Sequence, residues 1–383
     1  MKPIYLDNHA TTQVDERVLK KMMPFMMDKF GNASSVDHLH GVEAKKAVED
    51  ARKEIADLIG ARPAEIVFTS GATEADNMAI MGSIDMGDLK NTHIISTKIE
   101  HKAIINTLEY LERLGAEITL LNANEFGEID LTQLQKEIKP NTKLISVILA
   151  NNEVGTIQDF EGITNIAKEN GIKVHFDAAQ ALGRVKIDVR KTPISMLSLS
   201  AHKIYGPKGI GAIFVNKDRP RVRLNPILFG GGQENNLRSG TLNVPGIVGF
   251  GEAAKLMKKE YDESKKKYLE FRRIFEKKLE GVNYKINGSE NRLENNMNIW
   301  FPGVEAQALI RLISKKISLS TGSACTTDHV EASHVLMAMF NDETKAFESI
   351  RIGFGRFNNE AEIGEAVLLI KSGVERLTFR FID

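Results

Sequence analysis

The chain has one cysteine, Cys325, among its 383 residues. That excludes an internal disulfide and a zinc site built from several thiolates. Charge of one sign is not in excess: Lys plus Arg and Asp plus Glu each number 51. Without a general basic field, direct nucleic-acid binding is not expected. No apolar stretch approaches the ~20 residues of a membrane span. The opening MKPIYLDNHATT lacks the apolar core of a secretory signal. A reducing cytoplasm is the expected compartment. Neither GxxxxGKS/T nor GxGxxG occurs, which weakens nucleotide binding by those routes. There is no internal repeat and no low-complexity tract. His38 and His40 have the spacing of ligands on one side of a strand, but their stretch reads as a loop, and no metal site is expected.

What is present is ordinary for a globular protein with a sizeable core: 42% hydrophobic and 27% charged residues. Across residues 65–215, strand and helix patterns alternate. EIVFTS, HIIST, EITLL, KLISVILA and IKVHFD read as strands. TEADNMAIMGSI, HKAIINTLEYLERLG, LTQLQKEI and ITNIAKENG read as helices. Such alternation predicts an α/β fold with a mostly parallel sheet covered by helices on both faces. KLISVILA is nearly continuous in apolar residues, as a strand buried on both faces requires. Ahead of this block, Val42, Ala44, Val48, Ala51, Ile55, Leu58 and Ile59 are expected on one helical stripe. After it, residues 248–279 read as one long, charge-rich helix linking to a smaller α+β region.

In open α/β sheets, ligands sit beyond the carboxyl ends of the strands. After EIVFTS comes SGATEADN, where Gly71 allows a tight turn and a helix start offers backbone N–H groups to a phosphate. The plainer reading is a capped turn. After IKVHF comes Asp177, either a carboxylate for a cationic ring nitrogen or a helix cap. After ISMLSLS comes AHK, which puts Lys203 directly behind an apolar strand, with Ser200 and His202 beside it. A lysine there suits Schiff-base chemistry, although a surface turn is the alternative. Together the three match what pyridoxal 5'-phosphate needs: an amine, a carboxylate for its ring nitrogen and a phosphate cradle.

With these residues in place, the chain resembles the cysteine desulfurases of the NifS/IscS type, in the class-V aminotransferase family of PLP fold type I. The matching segments run from YLDNHATT to SIRIGFGRF and include TSGATEADN, EHKA, NNEVGT, FDAAQALG, SAHKIYGPKGIG, GGGQE, LRSGT, STGSACT and SHVL. The resemblance implies a large cofactor-binding domain at 14–255. It also implies a small α+β domain from 1–13 and 256–383 that carries the cysteine loop. Lys203 is then the lysine that bonds the cofactor. Asp177 pairs with the ring nitrogen, Gln180 bonds the phenolic oxygen, and His101 stacks on the ring and moves protons. Thr73, Ser200 and His202 hold the phosphate with backbone help at Ala72. Thr241 reaches the phosphate of a partner subunit, which implies a homodimer. Asn152 and Arg351 bind the substrate amino acid, L-cysteine, with Arg351 on its carboxylate.

The resemblance also gives the lone thiol a task. Cys325, set among Ser, Thr, Gly and Ala, is the nucleophile that takes the substrate's sulfur as a persulfide, leaving alanine, and passes it to an acceptor protein. Such a loop suits a group that must travel. Attack needs the thiolate, and nothing in the sequence identifies what activates it. An iron–sulfur scaffold, a tRNA-thiolation factor and a DNA sulfur-modification system all remain open as acceptors. Ala33 and Ala332 stand where relatives often carry proline. The chain stops at Asp383, where some relatives continue with a tail that helps dock the scaffold. A transaminase, a selenocysteine lyase and a non-catalytic sulfur carrier stay as alternatives. The first needs no loop cysteine, and the last needs no Asp177, Gln180 and Lys203 together.

Overall fold

The computed structural model describes residues 2–218, 221–322 and 331–378. The chain opens with a short strand, β1 (Ile4–Tyr5), and two helices, α1 (Glu16–Met27) and α2 (Leu39–Ile59). The alternating block follows: β2 (Ile66–Thr69), α3 (Ala72–Gly82), β3 (His93–Thr97), α4 (Lys102–Arg113), β4 (Glu117–Leu121), α5 (Leu131–Lys136), β5 (Thr142–Ile148), α6 (Phe160–Glu169) and β6 (Lys173–Asp177). β7 (Met196–Ser200) and β8 (Gly211–Val215) complete a seven-stranded sheet of order β2-β8-β7-β6-β5-β3-β4. β8 runs antiparallel to both its neighbours, and the other pairs are parallel. The expected mostly parallel sheet is therefore present.

Alternate residues of each strand enter opposite layers, because successive side chains leave a strand on opposite faces. Ile95, Ile145, Phe176 and Leu197 pack in the layer with α2 and α7 (Val244–Lys259). Ile94, Leu144 and Met196 pack under α3 and α4. Full burial of a side chain such as Phe176 stabilises the fold by roughly 1.5–3 kcal/mol. In α2 the buried stripe is Ala44, Val48, Ala51, Ile55 and Ile59. Val42 is 47% exposed, contrary to expectation. Two residues before Ala44 is about 200° around a helix, which puts Val42 on the outer face. α2 starts at Leu39 with the His38 ring accepting the Gly41 N–H, so the supposed loop around His38 and His40 is a helix start.

Beyond the first sheet come α8 (Tyr261–Lys278), β9 (Lys285–Asn287), β10 (Asn296–Trp300), α9 (Ala306–Ile313), β11 (Ile317–Ser318), α10 (His334–Phe340), α11 (Glu343–Phe347), β12 (Ser349–Gly353) and α12 (Glu360–Thr378). β12, β10 and β9 form an antiparallel sheet, and β1 pairs with β11 in parallel. Tyr268, Phe271 and Phe275 of α8 join Leu6, Ile352, Val367 and Ile370 in a second core. The single helix expected over 248–279 is two helices. They meet at Glu260, which is non-helical at φ −103° and whose carboxylate pairs with Arg17 and Arg356. The break lets the chain leave one core and enter the other. The charge-rich second helix nonetheless buries Tyr268, Phe271 and Phe275 on one side.

Candidate active site

A cavity of about 640 Å³ opens beyond the carboxyl ends of the parallel strands. Its walls hold the residues that follow β2, β3, β5, β6 and β7, together with Asp7, His9, Ser320 and Arg351 from the second-sheet side. Ten of the residues expected in the site line it: Ala72, Thr73, His101, Asn152, Asp177, Gln180, Ser200, His202, Lys203 and Arg351. Thr241 does not. It is exposed, in the segment after the Leu228–Arg238 bridge. Cys325 lies outside the described residues.

One end of the cavity suits a phosphate. Gly71 caps α3 without a side-chain cap, so the first N–H groups of that helix point outward unpaired by a cap. A Cβ at Gly71 would meet nothing within 4 Å, while one at Gly211 would fall 2.7 Å from the Gly71 backbone. Only glycine lets β8 pass under this turn. Ser200 Oγ, at the end of β7, is buried and lacks a hydrogen-bond partner among the described residues. His202 donates or accepts at Thr11 Oγ1, 3.1 Å away, and burial lowers its pKa to about 4. A buried orphan hydroxyl beside an uncapped helix start is the arrangement a phosphate would satisfy.

The other end suits a cationic ring and an amine. Asp177 closes β6 and is 5% exposed. One of its oxygens accepts the Ala179 N–H at 2.8 Å, so it does stabilise the turn, but no hydrogen bond among the described residues engages the other. Burial raises its pKa, opposed by His101 and Lys203. A protonated ring nitrogen would supply the missing countercharge. Lys203, in the 3₁₀ turn after β7, donates to the carbonyl oxygens of His9 and Ala10. Burial first, then Arg351 and Arg184, pull its pKa down to about 8, which makes a neutral amine accessible near physiological pH. His101 caps α4: its Nδ1 accepts the Ala103 N–H at 3.1 Å, which leaves Nε2 to carry the proton of the neutral ring. That ring is open to the cavity yet surrounded by protein atoms, and this burial lowers its pKa. These residues fit pyridoxal phosphate at its phosphate, its ring nitrogen and its aldehyde.

Arg351, on β12, is 5% exposed. Its Nη2 pairs with Asp7 at 2.9 Å, and its Nη1 donates to the Asn152 carbonyl at 3.1 Å. Its Nε is buried and has no hydrogen-bond partner among the described residues. The sequence reading missed Asp7, His9 and Asp76, although each sits inside a quoted motif. Asp76 lies buried in the cavity wall, where its carboxylate has no hydrogen-bond partner among the described residues and His175 Nε2 stands 3.6 Å from Oδ1. Burial, and then the charge of Asp177, raise its pKa well above the usual carboxylate range. Glu100, beside His101, is likewise held up at about 8 by burial.

The profile of the family "Aminotransferase class-V" matches residues 4–365. A "Cysteine desulfurase IscS" of Neisseria meningitidis serogroup A is 48% identical over 98% of this chain and 93% of its own. Among solved structures, a "NifS-like protein" superposes with a TM-score of 0.90 at 36% identity, covering 98% of this chain and all of that one. "SspA in complex with cysteine" gives a TM-score of 0.82 at 38% identity, covering 93% of this chain and all of that one. The chain therefore belongs to the class-V aminotransferase family, as a pyridoxal-phosphate-dependent cysteine desulfurase of the IscS/NifS type.

Proposed function

We propose that the chain takes sulfur from L-cysteine, releases L-alanine, and passes the sulfur through Cys325 to an acceptor protein. The observation that carries this reading is one cavity that joins Lys203 and Asp177, at two strand ends, to a buried arginine on the opposite wall. When bound, pyridoxal phosphate supplies an electron sink for the bonds broken at the substrate. Lys203 supplies the amine that holds it, and Asp177 keeps its ring nitrogen protonated. Gln180 faces its phenolic oxygen, while Ala72, Thr73, Ser200 and His202 hold its phosphate. Arg351, with Asn152 beside it, takes the substrate carboxylate. The Asp7 carboxylate on Nη2 marks the position an incoming carboxylate competes for. His101 Nε2 holds the proton that moves at the reacting carbons. The Cys325 thiolate attacks the substrate's sulfur: an S–S bond forms and the C–S bond breaks.

We further infer a two-domain chain, 14–255 against 1–13 with 256–383, as the two separate apolar cores support. A homodimer in which Thr241 reaches the partner's phosphate fits that residue's exposure outside its own cavity. It also fits the apolar surface left open at Phe30, Leu39 and Phe229, which are 70%, 85% and 83% exposed. Among the described residues no helix is long and apolar enough to cross a membrane. A single thiol carrying sulfur needs a reducing compartment, which favours the cytoplasm.

The test is direct. Purified protein given L-cysteine should form alanine, and the peptide holding Cys325 should gain the mass of one sulfur atom. Cys325→Ser should keep its bound cofactor and its spectral response to L-cysteine, yet make almost no alanine. Alanine at the wild-type rate from Cys325→Ser would remove the thiol from the reaction and favour a lyase.

A further inference from the structure

His9, in the turn after β1, is 1% exposed and has an oxygen acceptor at each ring nitrogen. Nδ1 lies 3.1 Å from Gln180 Oε1, and Nε2 lies 3.2 Å from the carbonyl oxygen of Asn295. The orientation of the Gln180 amide follows from a third contact, in which its Nε2 lies 2.8 Å from the carbonyl oxygen of His9. A carbonyl accepts and never donates, so the amide atom against it is the NH₂ group, and Oε1 must face the ring. The neutral ring has one proton for the two oxygens it faces, and we assign it to Nδ1, whose acceptor is the nearer at 3.1 against 3.2 Å, so that Nδ1–H donates to Gln180 Oε1. No second proton is available for Asn295. Burial, with Arg351 of β12, Arg184 after β6 and Lys203 after β7 as the charged groups around the ring, keeps it neutral down to about pH 3. The ring lies against the Gly353 backbone, where a Cβ would fall 2.8 Å from His9 Cδ2.

We propose that His9 is a positioning residue: its ring and its carbonyl hold the Gln180 amide at both ends, so that the second N–H of that amide is directed at the cofactor's phenolic oxygen. The proposal rests on the contact assigned to Gln180 above, and not on the sulfur transfer. Gln180 follows β6 of the large sheet, while His9 and Asn295 belong to the second-sheet side. The hydrogen bond thus ties the cofactor-holding turn to the part of the molecule that carries Arg351. Donation by Nδ1–H into Oε1 polarises the amide and makes its remaining N–H a stronger donor. A stronger donor at the phenolic oxygen favours its negative form.

The test is a pH titration of the holoenzyme's visible cofactor band at saturating cofactor, without L-cysteine. His9→Leu keeps an apolar side chain of similar bulk and removes the donor. The midpoint should rise by about 0.5–1 pH unit, because the negative oxygen loses support. His9→Asn places an amide N–H where Nδ1 stood, and its midpoint should match the wild type. In a Gln180→Ala background, His9→Leu should shift nothing further, since its action runs through Gln180. A wild-type midpoint in His9→Leu overturns the proposal. So does a shift of equal size with and without Gln180. Should His9→Leu fail to fold, His9→Ala takes its place in the same cycle. Neither Cys325 nor L-cysteine enters the measurement, so a chain inactive toward cysteine would still report on His9.

Discussion

The two sides of the cavity are built differently. The sheet side takes its residues from the loops that follow consecutive parallel strands: Gly71 to Thr73 after β2, His101 after β3, Asn152 after β5, Asp177 ending β6, and Ser200 to Lys203 after β7. The opposite side takes Asp7, His9, Ser320 and Arg351 from segments hundreds of residues apart, brought together by the β1–β11 pairing and by the bridges Asp7–Gly353 and Ser320–Arg351. Parallel strands all end at the same edge, so the first set is assembled by topology alone. The second set depends on the N-terminal segment docking against the C-terminal part of the chain. In the proposed assignment, the cofactor-holding groups come from the first set and the substrate-carboxylate group from the second.

That division can be broken experimentally. Asp177→Asn removes one partner of a buried charge pair, worth about 3–5 kcal/mol. Turnover should fall by about 10²–10⁴-fold, and the cofactor should be lost more readily on dialysis. Normal activity at saturating cofactor would reduce Asp177 to its turn contact with Ala179. Arg351→Gln should leave the cofactor spectrum intact and raise KM for L-cysteine by about 10–100-fold, the size of one lost charge-assisted hydrogen bond. A changed cofactor affinity with unchanged KM would place Arg351 on the cofactor side and erase the distinction.

The smallest effect expected on turnover belongs to Glu100, beneath the sheet-side wall, whose test reads stability in the apoprotein. Its carboxyl ionises near 4.5 when unfolded, and burial raises this to about 8 in the fold. Between those values the unfolded chain gives up a proton that the fold retains. Stability is therefore lost as pH rises, by about 1.4 kcal/mol per unit from this group. Glu100→Gln has no proton to release, so its denaturation midpoint should fall less steeply between pH 5 and 8. Parallel curves for variant and wild type would show that Glu100 is already ionised in the fold.

Much of the sheet side was readable in advance because a strand advertises itself by composition and its end is the next residue. Lys203 and Asp177 were found this way, with the alternative of a helix cap left open for Asp177. Its contact to Ala179 N–H shows why: it serves the turn with one oxygen and keeps the other for the cavity. Glu260 was not readable, since the residues around it favour helix continuously and only the need to reach a second core breaks it. Val42 shares the helix's composition but lies about 200° around it from Ala44, on the exposed face.

By itself, the sequence determined the alternating elements, the strand-end lysine and carboxylate, the glycine turn after β2 and the family. Each is a local pattern, or a string of motifs in order. Only the tertiary structure decided that Asp7 occupies the Arg351 guanidinium, that His9 holds both ends of Gln180, and that Asp76 is buried in the cavity wall. Those relations join atoms separated by 344 and 171 residues, or consist of burial itself. Neither distance across the fold nor exclusion from water is a property of any stretch of chain; both arise when the two cores pack.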